Sequence, residues 1–88
     1  MFKQLFEGSK WEVSPGDMVY TLNPGHTVTL YFDYDGDVMV HIQDKKLHRE
    51  AIMQPQSAKD INKGLAKIAK KYKISLPLVT DDDIGEAM

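Results

Sequence analysis

The chain contains no cysteine, which excludes disulfide bonds and thiolate metal sites. It has no apolar run near the roughly 20 residues that a membrane-spanning helix needs. Its first residues also lack the apolar core of a secretory signal. These absences predict a cytoplasmic protein that makes no membrane contact.

Catalytic patterns are missing as well. Serine is scarce, and no nucleophile is paired with a base at a recognisable spacing. Asp33, Asp35 and Asp37 alternate around Gly36 and resemble half a calcium loop, but no glutamate completes the pattern. Turn chemistry explains these acids better. We therefore expect no enzyme activity, no metal and no cofactor.

The 88 residues present are enough for one small domain with an ordinary apolar fraction of 42%. We predict a single α+β domain over residues 1–80, followed by an acidic, disordered tail over residues 81–88. Residues 2–7 place Phe2, Leu5 and Phe6 on one face of a single helical turn, which would pack on the core.

Residues 11–53 are typical of antiparallel β structure. Residues 27–33 and 37–43 alternate and are rich in β-branched and aromatic side chains. Residues 18–22 predict a short strand, and residues 46–53 predict a last strand or a strand followed by a turn. A three-residue loop over residues 34–36 puts Phe32 opposite Val38 and gathers both apolar sets on one side of the sheet. A two-residue loop would point those sets in opposite directions, so the longer loop is favoured.

Short strands separated by glycine- or proline-bearing turns predict a small β-barrel or a strongly curved sheet of four to five strands. Over roughly residues 14–54 the spacing resembles the layout of SH3-like barrels. The resemblance lies in spacing alone, and no function follows from it.

Residues 57–73 predict one amphipathic helix that closes the core. Ile61, Leu65 and Ile68 form its apolar stripe, and Ser57 with Asp60 is typical of a capping box. Lysines occupy the other face. The four that share it, here called the lysine stripe, are Lys59, Lys63, Lys67 and Lys71.

Charge is sorted along the chain, although the net charge is only −2. Residues 57–76 hold six lysines and one aspartate, and residues 77–88 hold four acids and no base. The lysine stripe would suit an acidic protein or a phosphate backbone, but an arginine-free helix is poorly equipped to read bases. A solvated helix face is the alternative explanation.

The acidic tail carries Asp81, Asp82, Asp83 and Ile84. It allows three interpretations: a docking peptide anchored by Ile84, a phosphate mimic that covers the lysine stripe, or a solubilising tail. At physiological salt, charges interact strongly only within about 8 Å, so the second interpretation requires close contact.

The predicted hairpin register puts Tyr31, Met39 and His41 on the face away from the apolar set. This open-face patch is either covered by the helix or N-terminal segment, or free to bind a partner. The leading hypothesis is a non-enzymatic module that binds and modulates or inhibits a partner protein, as phage- or plasmid-type accessory factors do. Nucleic-acid binding through the lysine stripe, and a self-associating subunit such as a homodimer, are the alternatives.

Overall fold

A computed structural model describes residues 10–88. The predicted helical turn over residues 2–7 lies outside the described residues. Five strands are followed by two helices, and these elements are β1 (Glu12–Ser14), β2 (Asp17–Asn23), β3 (His26–Phe32), β4 (Val38–Gln43), β5 (Leu47–Ile52), α1 (Ala58–Tyr72) and α2 (Asp81–Ala87).

The strands form one antiparallel meander in the order β1-β2-β3-β4-β5. The predicted α+β class and antiparallel sheet are confirmed. Of the two predicted forms of the sheet, the barrel is wrong, because β1 and β5 lie at opposite edges and do not pair with each other. The resemblance to SH3-like barrels stays a prediction.

The predicted hairpin register is confirmed. Phe32 lies opposite Val38, Leu30 opposite Val40, and the ladder continues in step to residue 43. Asp33 builds the connecting loop, since its Oδ1 accepts hydrogen bonds from the backbone N–H groups of Asp35 and Asp37. These acids therefore act as turn residues, as the sequence predicts.

The core lies between one face of the sheet and the helices. Met18, Val28, Leu30 and Val40 are fully buried on the inner sheet face. The apolar stripe of α1 packs onto them as predicted, with Ile61, Leu65 and Ile68 all buried. Trp11 is buried in the same core, and its Nε1 donates to the backbone oxygen of Pro77 at 3.1 Å.

The cap of α1 differs from the predicted capping box. Ser57 stands at the N-cap, but its side chain makes no capping hydrogen bond. Asp60 instead accepts a hydrogen bond from the backbone N–H of Gln56 at 2.9 Å. The first turn keeps an acid near the positive end of the helix dipole, which is where a carboxylate is stabilising.

The acidic C-terminal segment is a second helix, where the sequence predicts a disordered tail and a single helix. Thr80 and Asp83 form a complete capping box at its start. Ala87 is buried, and its carbonyl oxygen accepts a hydrogen bond from Gly16 N–H. Local capping and packing beside β1 therefore order residues whose composition favours disorder. None of the helices in the described part of the chain is long and apolar enough to cross a membrane.

Candidate protein-binding surfaces

The outer face of the sheet is the first candidate surface. Up to the register shift after Thr21 in β2, strand alternation sends the even-numbered residues of β2 to β5 toward the helices and the odd-numbered residues outward. Both helices pack on the inner side, so among residues 10–88 no helix or strand lies over the outer side. Most outward residues are polar, as expected for a sheet face in water: Asp17, Thr21, Thr27, Thr29, Gln43 and Arg49.

The open-face patch interrupts this polar surface at its centre. Tyr31 is 41% exposed and lies directly opposite Met39 in the ladder. The rings of Tyr31 and His41 meet edge to face, with their centroids 4.8 Å apart. The structure thus brings together the three residues predicted for partner binding, and no described helix covers them.

The lysine stripe is the second predicted surface. All four of its lysines are exposed on α1. Lys71 differs from the other three, because its Nζ lies 2.8 Å from Glu50 Oε2. This is the only ion pair within residues 10–88, so Lys59, Lys63 and Lys67 have no acidic partner there.

Glu50 is the centre of a small polar cluster at the inner side of β5. Lys71 and the Tyr72 hydroxyl both donate hydrogen bonds to its carboxylate. Two hydrogen bonds lower the pKa of Glu50 below its ordinary range, and the one from Lys71 has a larger effect than the one from Tyr72. The same contacts raise the pKa of Lys71 and of Tyr72. The negative charge of Glu50 is therefore already paired with the positive charge of Lys71.

The acidic helix does not cover the lysine stripe. Asp81 and Asp82 are exposed, whereas Asp83 is only 6% exposed and Ile84 packs against the core. None of Asp81, Asp82 and Asp83 forms an ion pair with a lysine within the described residues. Helix α2 packs beside β1, at the sheet edge opposite α1 and β5.

A third surface, which the sequence did not reveal, is a cleft of about 390 Å³ between β5 and α1. We call it the β5–α1 cleft. It is lined by Glu50, Ala51, Ile52, Met53, Asp60, Lys63, Gly64, Lys67 and Ile68. The one advance signal is Gly64, an unfavourable residue in a helix interior. A Cβ built on Gly64 would stand 2.7 Å from Ile52 Cγ1, so glycine lets the helix approach the strand closely.

The free edge of β5 runs along this cleft. Asp44 N–H donates to Lys46 O at 3.1 Å, which shows that even-numbered backbone groups of β4 and β5 face each other. Because bonding directions alternate along a strand, Leu47, Arg49 and Ala51 direct their N–H and C=O groups away from β4. No described strand pairs with β5 on that side.

Within residues 10–88, no three histidine, aspartate or glutamate side chains converge to hold a metal ion. The predicted lack of enzyme activity and of a cofactor stays a prediction.

Comparisons of the chain with models of protein families, with curated proteins and with solved structures found no match. Functional inference therefore depends on the geometry of these three surfaces.

Proposed function

We propose that this protein is a non-enzymatic interaction module that binds a partner protein through the outer face of its sheet. The open-face patch is the observation that carries the proposal. Tyr31, Met39 and His41 form an aromatic and thioether centre surrounded by polar residues, on a face that no described helix covers. Interfaces have the same anatomy, with a desolvated centre of aromatic residues and Met inside a polar rim.

The backbone under the patch supports the proposal. Tyr31 and Met39 lie on β3 and β4, which are interior strands hydrogen-bonded on both sides. Side chains on such strands lose little backbone entropy on binding, and an unbranched Met adapts to an irregular partner surface. The patch is thus a rigid anchor with one adaptable side chain.

The size of the face sets the expected strength of binding. The five strands hold 3, 7, 7, 6 and 6 residues, and at about 4.8 × 3.3 Å per residue they give a projected footprint of roughly 460 Å². A standard interface buries about 800 Å² on each partner. We therefore expect a transient complex, in the class of accessory factors that modulate or inhibit a larger protein.

Affinity capture from a cell lysate tests the proposal. The double variant Tyr31→Ala/Met39→Ala is expected to lose one specific captured protein while remaining folded, with the circular dichroism spectrum of the wild type. Thr21→Ala/Gln43→Ala is the matched control, because both residues are exposed on the same sheet face outside the patch. If the Tyr31/Met39 variant captures the same proteins in the same amounts, the patch is not the binding surface.

Nucleic-acid binding is the second candidate function. It is favoured by one observation, which is that Lys59, Lys63 and Lys67 are exposed without an acidic partner among residues 10–88. This function predicts that nuclease treatment removes the captured material and that binding falls steeply with salt. A gel shift that Lys63→Glu/Lys67→Glu leaves unchanged would exclude it.

A further inference from the structure

We propose that the β5–α1 cleft binds an extended acidic segment of a partner protein, which adds to the sheet as a sixth strand. This site is separate from the open-face patch and does not depend on it. Three features of the cleft favour such a ligand: the unpaired edge of β5, the alignment of α1 with that edge, and the lysines that α1 places there.

The first step is the backbone of β5. Leu47, Arg49 and Ala51 direct three N–H and three C=O groups toward the open edge, as the β4–β5 register requires. Such an edge is a template for an added strand, and sheet proteins commonly protect it with prolines, bulges or covering segments. Within residues 10–88, β5 has neither a proline nor a covering strand, and its one inward-pointing charge, Glu50, is paired with Lys71. An incoming extended chain would find its backbone partners already in place.

The second step is the direction of α1. Gly64 lies against Ile52, and eight residues later Tyr72 contacts Glu50 and His48. Eight helical residues advance about 12 Å, and the four residues from Ile52 back to His48 advance about 13 Å. The helix therefore runs alongside β5 in the opposite direction, and it forms one wall of a channel along the strand.

The charged residues that line the cleft favour an acidic ligand. Lys63 and Lys67 line the channel and have no acidic partner among the described residues. Of the two acids in the same lining, Glu50 is paired with Lys71, whereas Asp60 keeps its negative charge and accepts a hydrogen bond from the neutral Gln56 N–H. With Lys71 included, three lysines face two carboxylates, so the cleft has a net charge of +1, which favours an acidic ligand.

The spacing of Lys63 and Lys67 matches the spacing of side chains on an extended ligand. Lys63 and Lys67 are four residues apart, or about 6.0 Å along the helix axis. Side chains that point the same way on a strand are two residues apart, or about 6.6 Å. Two acidic residues separated by one residue on an added strand would therefore each meet one lysine. The residue between the two acids would point to the outer sheet face, beside either Arg49 or Ala51 according to the register.

The chain's own acidic segment is not the ligand in this structure. It is helical, Asp83 is buried in its capping box, and Ala87 is fixed to Gly16 at the far edge of the sheet. A segment from another protein fits the cleft without unfolding α2. A second copy of this chain, paired edge to edge through β5, is the outcome that the experiment must separate.

The probe is a fluorescein-labelled nine-residue peptide that alternates glutamate and threonine, and fluorescence anisotropy measures its binding. A matched peptide with glutamine in place of glutamate is expected to bind roughly 2- to 30-fold more weakly, the range for losing two exposed ion pairs. Equal binding of the two peptides would overturn the charge argument.

Two variant pairs locate the site. Lys63→Gln/Lys67→Gln is expected to weaken binding of the glutamate peptide by the same factor. Lys59→Gln/Lys70→Gln is the control, since it removes an equal charge from outside the cleft. Equal weakening by both pairs would mean non-specific attraction and would refute the site. Tyr31→Ala/Met39→Ala should bind the peptide normally, so failure here and failure of the open-face proposal are distinguishable.

The edge itself is tested with Ala51→Pro. Because the N–H of residue 51 faces away from β4, proline removes an edge donor and no sheet hydrogen bond. We expect loss of peptide binding with an unchanged circular dichroism spectrum. On the wild type, peptide addition should shift the amide NMR signals of Arg49 and Ala51, which keeps the test valid if the proline variant does not fold. Unshifted signals, or a wild-type dimer that Ala51→Pro converts to monomer, would refute a peptide-binding edge.

Discussion

Replacing Gly64 with alanine should destabilise this protein, although alanine is the better helix former. Gly64 lies in the interior of the 15-residue helix α1. A Cβ at this position would stand 2.7 Å from Cγ1, 2.8 Å from Cδ1 and 3.0 Å from Cγ2 of Ile52. Carbon atoms in favourable contact are about 3.5–4.0 Å apart, so all three distances are repulsive.

The size of the effect follows from two opposing terms. Alanine gains about 1 kcal/mol over glycine in a helix interior. Overpacking a core costs about 1–3 kcal/mol, and the upper half of that range applies because both γ-carbons of Ile52 are too close and χ1 of a β-branched residue is stiff. We expect a net loss of about 1–2 kcal/mol. For a domain of this size, each kcal/mol lowers the melting temperature by roughly 4–8 °C.

Urea denaturation of a double-mutant cycle measures the coupling. In an Ile52→Ala background all three clashing atoms are gone, so Gly64→Ala should change sign and stabilise by up to about 1 kcal/mol. Gly85→Ala is a matched control, because Gly85 is also helical and nothing lies within 4 Å of an added Cβ. That substitution should stabilise in the wild-type background.

The close approach of α1 to β5 is refuted if Gly64→Ala stabilises the protein as much as Gly85→Ala does. The β5–α1 cleft would then lose the alignment on which its ligand was inferred. A destabilisation that persists unchanged in the Ile52→Ala background would instead place the clash elsewhere.

Two further predictions concern polar contacts. The amide of Asn62 donates to Val79 O and accepts from Val79 N–H at 2.9 and 2.8 Å, so Asn62→Ala should cost about 1–3 kcal/mol and speed exchange of the Val79 amide hydrogen; unchanged exchange would contradict this. Lys71 lowers the pKa of Glu50, so the stability from this contact is complete above the ordinary value of 4.5 and is lost as pH falls through the lowered value. Lys71→Gln should raise the pKa of Glu50 in a carboxyl NMR titration, and an unmoved pKa would exclude the contact.

The hairpin could be predicted from sequence because its signals are local. Alternation over residues 27–33 and 37–43 defines two apolar faces, and one choice of loop length brings those faces together. Asp33 and Gly36 supply the turn chemistry, with Gly36 at φ +89°. Each choice involves residues fewer than 20 positions apart, so a single sequence was enough.

The acidic segment was mispredicted because composition outweighed a weaker ordering signal. Thr80 and Asp83 have the spacing of a capping box, and Ile84 and Ala87 are three residues apart on one helix face. Seven residues are too few for a helix that is stable alone. The contacts that stabilise this one come from β1 and Gly16, more than 60 positions earlier in the chain. No local sequence pattern predicts such contacts.

The β5–α1 cleft was missed for a related reason. Whether β5 is an edge strand depends on closure of the sheet, and the sequence favoured a barrel or a strongly curved sheet without deciding between them. Gly64 stood out in the helix, but its partner Ile52 is identified only by the packing of α1. The lysine stripe was visible in the sequence, whereas the strand edge beside Lys63 and Lys67 was not.

The fold converts the sorted charge of the sequence into separation in space. Basic α1 runs beside β5, and acidic α2 packs beside β1 at the other edge of the sheet. The separation is incomplete, because the Asn62 side chain of α1 holds the backbone of Val79, two residues before α2 begins. Because no acid of α2 forms an ion pair with Lys63 or Lys67 among the described residues, both lysines stay available to an acidic ligand that reaches the free edge of β5.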